Sequence, residues 1–190
     1  MKEAIERGCY GYIDRRKHNQ LIKAILCALV VAFLVALGIF IFGTKLNIIM
    51  LPAMLMVIPF ANFFVAFVGL AQYHTAPAER YEKLKAYEDS GLLLSDLVMV
   101  NEKGRRIHAE FAIVYRNGVV LFGEGGQQDL YKMEVPINDI MKRKGIPMRA
   151  KAYSDWDEFL ERINGVEMPA DDTERRRVEL AREAVISLCI

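Results

Sequence analysis

The sequence predicts an α+β protein in two parts. An N-terminal transmembrane helical hairpin comes first. A small sheet follows, antiparallel around one hairpin, with room for a mixed strand, and covered by helices. Three observations predict this. Residues 24–71 hold one charge, Lys45, whereas residues 72–190 hold 18 Lys/Arg and 21 Asp/Glu. Asn117-Gly118 stands between two apolar, β-branched runs, a hairpin signal. Acid-capped amphipathic stretches then run toward the C-terminus. With 190 residues, 53% hydrophobic, 26% charged and net charge +1, the chain is not an ordinary soluble globule, a disordered chain or a strongly basic nucleic-acid binder.

The expected domains are a basic cytosolic tail over 1–23, the hairpin over 24–71 and a cytosolic α+β domain over 72–190. Ala24 to Gly43 is 20 uncharged residues, and at ~1.5 Å rise per residue it matches a hydrocarbon layer of about 30 Å. Leu46 to Ala71 is 26 uncharged residues, enough to cross with tilt. Only Thr44 and Lys45 separate the runs, so the helices turn back on each other. Arg15, Arg16 and Lys17 precede the first run as in a signal peptide. However, the run is long, ends without a clean cleavage motif and is followed by a second span, so it reads as an uncleaved anchor. Lys2, Arg7, Arg15, Arg16, Lys17 and Lys23 precede the first span, and Arg80, Lys83 and Lys85 follow the second. The positive-inside rule then places both termini on the cytoplasmic side of the inner or plasma membrane. Cys9, Cys27 and Cys189 form no disulfide framework and no metal pair.

Within the spans, Ala24, Ala28, Ala32 and Ala36 recur every fourth residue. They offer a smooth ridge for packing against the chain's own second span or for self-association. Pro52 and Pro59 lie on one face of the second span and are expected to bend it. Asn62 is its one strongly polar side chain deep in the span. It reads as an interhelical hydrogen-bonding group rather than as the lining of a transport path.

Beyond the joint at Tyr73 to Pro77, the spacing predicts a helix opened by Pro77 and stopped at Gly91. Strands are expected over Leu92–Val100, Ile107–Tyr115 and Val119–Phe122, with a further strand at Leu130–Val135. Pro136 is expected at the first position of a helix reaching Lys144, and Met148–Tyr153 reads as another strand. Ser154 with Asp157, and Asp171 with Glu174, make capping boxes for two last helices. Trp156, Phe159, Leu160 and Ile163 stripe the first, and Val178, Ala181, Val185 and Leu188 the second. Helices are expected on one face of the sheet.

Chemistry is hard to find in this pattern. His18, His74 and His108 have no zinc-type spacing with other ligands. No cofactor or metal is expected, and no catalytic residue is assigned. His108 and Glu110 alternate on one strand, and read as a solvated polar face before they read as an acid–base pair. Gly123-Glu124-Gly125 lacks the third glycine and the lysine of a phosphate loop and reads as a hairpin loop. Asp96, Glu110, Glu124 and Glu134 are scattered carboxylates without the strand-borne Glu-x-Lys of a restriction-type nuclease core. Lys142, Arg143 and Lys144, joined by Arg149 and Lys151, and Arg175-Arg176-Arg177 are basic clusters. The first, with Arg15, Arg16 and Lys17, suits an anionic membrane surface. A deficit of three charges over 72–190 disfavours nucleic acid. Cys9 is a candidate for acylation but reads first as an ordinary tail cysteine.

GYIDRRK before the first span, LPAMLMVIPFAN in the second and KGIPMRAKAYSDWDEFLERI near the end resemble uncharacterised bacterial membrane proteins built from a two-helix hairpin and a cytosolic α/β region. These runs cover about a fifth of the chain. The resemblance implies architecture and no activity. The expected function is a membrane-anchored binding or regulatory module. Its partners would be the lipid bilayer and a protein, or a second copy through the hairpin or the C-terminal helix. The alternatives are a membrane-tethered hydrolase or nuclease-like enzyme using the sheet carboxylates, and a small transporter subunit.

Overall fold

The computed structural model describes residues 7–43, 48–89, 92–100, 104, 106–167 and 169–189. The chain divides into two compact units, Ile13–His74 and the N-terminal residues through Tyr12 together with Thr75–Ile190.

The first unit holds α1 (Tyr12–Phe42) and α2 (Met50–Ala71). Both are long and apolar enough to span a membrane. In their most apolar windows only 6% and 11% of residues are buried, so neither is a core helix of the folded chain. Ile25, Leu29, Phe33, Leu51, Leu55 and Val65 are among the large apolar side chains left exposed. Among the less exposed positions are Gln20, Ala24, Cys27, Val31, Leu34 and Gly38 on α1, and Ala53, Met56, Phe60, Phe63, Phe67 and Leu70 on α2. Both sets alternate steps of three and four, the spacing of a left-handed helix pair. Lys23 Nζ lies 5.6 Å from the centroid of the Phe63 ring, and Lys17 Nζ donates to the Tyr73 carbonyl at 2.7 Å. The start of α1 therefore lies beside the end of α2, and the helices run antiparallel.

Two expectations for this unit change in detail, and a third is not reached. The turn at Thr44-Lys45 lies outside the described residues. Pro52 falls in the first turn of α2, where backbone N–H groups have no intrahelical acceptor to lose, so only Pro59 interrupts the helix. The helix–helix seam passes through Ala24 but not along the alanine ridge, because a step of four residues drifts round the helix while alternating steps of three and four do not.

The second unit comprises α3 (Ala78–Asp89), β1 (Leu93–Val100), β2 (Arg106–Tyr115), β3 (Gly118–Phe122), α4 (Gln127–Arg143), β4 (Arg149–Tyr153), α5 (Trp156–Asn164) and α6 (Asp172–Ser187). The sheet order is β1-β2-β3-β4, antiparallel except for the parallel pair β3–β4 that α4 connects. This is a small mixed sheet in an α+β fold, as the sequence predicts. Residues of β1, β2 and β3 are buried at nearly every position. Helices therefore cover both faces rather than one, since burial of alternate side chains needs cover on both sides.

The β2–β3 hairpin forms where Asn-Gly marks it, by another route. Tyr115 pairs with Gly118, so Arg116 and Asn117 are the loop residues and neither has positive φ. The glycine is needed for room: a Cβ there would stand 2.6 Å from the Arg149 carbonyl oxygen on β4. The strand expected at Leu130–Val135 lies inside α4. Met133, Ile137 and Met141 are buried and Leu130 and Ile140 pack beside them, a helical stripe that continues through Pro136 in mid-helix. The N-cap of α5 is Asp155 rather than Ser154; its carboxylate accepts from the N–H groups of Asp157 and Glu158 at 2.8 and 3.1 Å. At α6 the Asp171 side chain caps as expected, but Glu174 reaches the N–H of Ala170 instead of completing the reciprocal box. Gly91 lies outside the described residues.

Both margins of the sheet are sealed. Along β1, the Ser95 N–H donates to the Gly8 carbonyl at 2.8 Å, and Met99 bridges to Cys189. Gly8 is held there at φ +87° with Leu94 where a side chain would stand. Along β4, the outward backbone groups are met by α4. Asn138 accepts from Ala150 N–H at 2.8 Å and donates to its carbonyl at 3.4 Å, and Glu134 accepts from Ala152 N–H at 2.9 Å. An amide side chain thus imitates one residue of a fifth strand. Asn138→Ala strands that N–H and is expected to cost about 1–3 kcal/mol in urea denaturation. A loss below about 0.5 kcal/mol would show that water replaces the amide.

Candidate functional site

α3 presents Arg80 to the end of the sheet. The guanidinium Nη1 donates to Glu110 Oε2 of β2 at 3.0 Å and lies 3.7 Å from Glu124 Oε1 in the loop after β3. Its Cζ stands 5.2 Å from the Phe122 ring centroid and 5.5 Å from that of Trp156. Trp156, the first residue of α5, meets Phe122 edge-on at 5.0 Å, and Phe159 lies behind both rings. One cation is therefore seated on an aromatic wall and shared by two carboxylates of different exposure. The Glu110 side chain is 7% exposed and that of Glu124 78%.

The expectation of a solvated His108–Glu110 face fails here. Glu110 is buried and bound to Arg80, and His108 is half-buried, because α3 lies over this end of the sheet. Burial pushes the Glu110 carboxyl above its ordinary value. The hydrogen bond and charge of Arg80 pull it back, and the charges of Glu124 and Asp96 push it up again. Asp96 sits between the ladder pairs Ser95–Phe111 and Leu97–Ala109. It is 2% exposed, adopts φ +55° and accepts from Thr75 Oγ1 at 2.9 Å. A left-handed aspartate in a strand is held by its surroundings at a cost of order 1–3 kcal/mol. Chemically, the arrangement can retain a proton on Glu110 more readily than an exposed carboxylate, or exchange the exposed partner of Arg80.

The four scattered carboxylates thus separate. Asp96 and Glu124 both act on Glu110, whereas Glu134 is spent on the β4 margin. Gly123-Glu124-Gly125 is the strand-to-helix loop before α4 rather than a hairpin loop, because Leu130 onward is helical, and Gly126 is the N-cap. Among the described residues no group of three or more His, Cys, Asp or Glu is placed to hold a metal ion. Lys142, Arg143 and Lys144 are exposed at the C-terminal end of α4, and Arg175, Arg176 and Arg177 are exposed early in α6. On α1, Arg15 is exposed and Arg16 half-buried, while Lys17 pairs with Asp14 at 2.9 Å. Ala24 is buried, Ala28, Ala32 and Ala36 are exposed, and Asn62 is exposed on α2. Arg80 and its aromatic seat are absent from the sequence-derived candidates. Its one signal is a place beside the apolar positions Tyr81 and Leu84 of α3.

Burial pushes the Cys189 thiol up to about 12, with Arg7 opposing. The native chain is expected to react with maleimide at Cys189 only on unfolding, at least tenfold more slowly than the unfolded chain at neutral pH, as peptide mapping checks. Equal rates would place that thiol at the surface. Comparison with family models, with curated proteins and with solved structures finds no match to the chain.

Proposed function

We propose that the chain is a membrane-anchored binding or regulatory module. In this reading α1 and α2 hold it in the cell's inner or plasma membrane with both termini cytoplasmic, and the α+β unit presents its outer surface to a protein partner or a second copy. The observation that carries the reading is the apolar outer surface of the helix pair, with Arg15, Arg16, Lys17 and Lys23 gathered at one end. A Lys/Arg-rich end supports the cytoplasmic side. Partner contact through α6 falls to its outward residues, Arg175 to Arg177 and Leu180, because Val178, Ala181 and Val185 are committed to the unit's own core.

Alkaline carbonate extraction tests the anchor: the chain is expected in the membrane pellet, and release to the supernatant would refute it. A C-terminal tag is expected to be protected in intact cells and cleaved in inverted vesicles. Chemical cross-linking in detergent, with native chain against Arg176→Glu/Leu180→Lys, tests the contact. Identical cross-linked species would remove α6 as the contact surface.

A membrane-tethered enzyme is a second reading, favoured by one observation: buried Glu110, with its raised proton affinity, shares Arg80 with Glu124. Glu110→Gln is expected to abolish any hydrolysis of esters, phosphoesters or nucleic acid by the purified chain. Unchanged turnover would exclude Glu110 as its acid–base group. A transporter subunit would need Asn62 to line a path between copies.

A further inference from the structure

We infer that the basic margin formed by the end of α4 and the outer side of β4 docks on anionic lipid headgroups. Lys142 and Arg143 occupy the last turn of α4, Lys144 is its C-cap, and a short loop returns the chain to Arg149 and Lys151 on β4. Arg149 and Lys151 are exposed, while the alternate residues Ala150 and Ala152 are buried. The five cations therefore lie along one margin, two of them on a rigid strand. Lys151 also stands 5.2 Å from the Tyr153 ring centroid, an aromatic at the same rim.

Among the described residues the charges of this margin are not neutralised by ion pairing, as those of Arg175, Arg176 and Arg177 also are not. In the same unit Arg80, Arg116, Lys85 and Lys132 each form an ion pair. Among the described residues none of the five forms one. Asp139, three and four residues before Lys142 and Arg143, is correctly spaced for a helical ion pair and makes none among the described residues. The negative end of the α4 dipole favours cations there without neutralising them. The margin is thus a concentrated positive surface on a segment that totals 18 basic and 21 acidic residues over 72–190.

That contrast selects the partner. A long polyanion in free solution meets net repulsion from the rest of the unit. A bilayer is already held close by the chain's own helices, and each Lys or Arg near an anionic surface strengthens contact by about fivefold. The inference rests on the anchored reading above.

Amine acylation of the full chain in lipid nanodiscs, mapped by mass spectrometry, tests it. Discs of phosphatidylcholine alone are compared with discs one-third phosphatidylglycerol. Acylation of Lys142, Lys144 and Lys151 is expected to fall about threefold or more in the anionic discs and to recover in molar salt. Lys132 serves as the internal reference and is expected to be unchanged. Equal rates at the margin in both discs overturn the inference, as does an equal fall at the reference lysine. Lys142→Gln/Arg143→Gln/Lys144→Gln is expected to lose the protection at Lys151 while keeping its thermal midpoint. Retained protection overturns the assignment to this margin. Protection by DNA duplex or polyglutamate, with none from phosphatidylglycerol, assigns the surface to a soluble polyanion and overturns the lipid. A chain that never enters either disc refutes the anchored reading instead.

Discussion

Arg80→Met is expected to destabilise the α+β unit by about 2–5 kcal/mol, because it leaves the Glu110 carboxylate buried beside Asp96 and Glu124 without its cation. The lower part of that range applies if solvent reaches in, since the Arg80 side chain is 32% exposed. The pH dependence fixes the cause. Glu110 binds its proton more tightly in the folded chain, so its stabilising contribution is present below the ordinary carboxylate value and fades as pH rises through the raised one. Without Arg80 that rise grows, so the variant should lose more at neutral pH than near pH 4. Arg80→Met/Glu110→Leu removes both charges and should regain most of the loss, because an apolar pair replaces a buried ion pair at little cost. Urea denaturation followed by Trp156 fluorescence measures all three. A pH-independent loss, or a double variant no better than the single, would assign the effect to packing.

The second large effect is expected at Phe122. Its ring meets Trp156 at 5.0 Å and Phe159 at 5.4 Å, with Arg80 Cζ 5.2 Å from its centroid. Phe122→Ala opens a cavity against rings that cannot collapse fully, at a cost of about 3–5 kcal/mol. The Trp156 emission maximum should shift to the red as water enters. Because the ring also seats Arg80, Phe122→Ala and Arg80→Met should be non-additive by at least about 0.5 kcal/mol. Additive losses would separate the aromatic wall from the ion pair, and Arg80 would then owe its place to Glu110 alone.

What the sequence makes legible follows from what each signal depends on. The apolar lengths of α1 and α2, the β2–β3 hairpin and the cap of α6 depend on local composition, and all three appear at or near the expected residues. Leu130–Val135 misleads because Pro136 is given more weight than the spacing of Met133, Ile137 and Met141. A helix loses one hydrogen bond at an interior proline and keeps its buried stripe when tertiary contacts hold it. The Arg80 cluster is not legible at all. Its members come from α3, β2, β3, the loop after β3 and the start of α5, and no spacing within one element encodes their meeting. Asp96 is readable as an acid in a strand, but not its left-handed backbone, its bond from Thr75 or the bond from Ser95 beside it to Gly8, which join residues far apart in sequence. Asn138 looks like one polar residue on a helix until β4 lies alongside it.

Those closed margins carry a consequence for crowding. Chains confined to a plane meet each other far more often than chains in bulk solution, and always in a restricted set of orientations. A bare strand rim under such conditions would zip copies together into ribbons. With Gly8 and Cys189 guarding one rim and Asn138 and Glu134 the other, neither rim is left bare for a second copy to pair along.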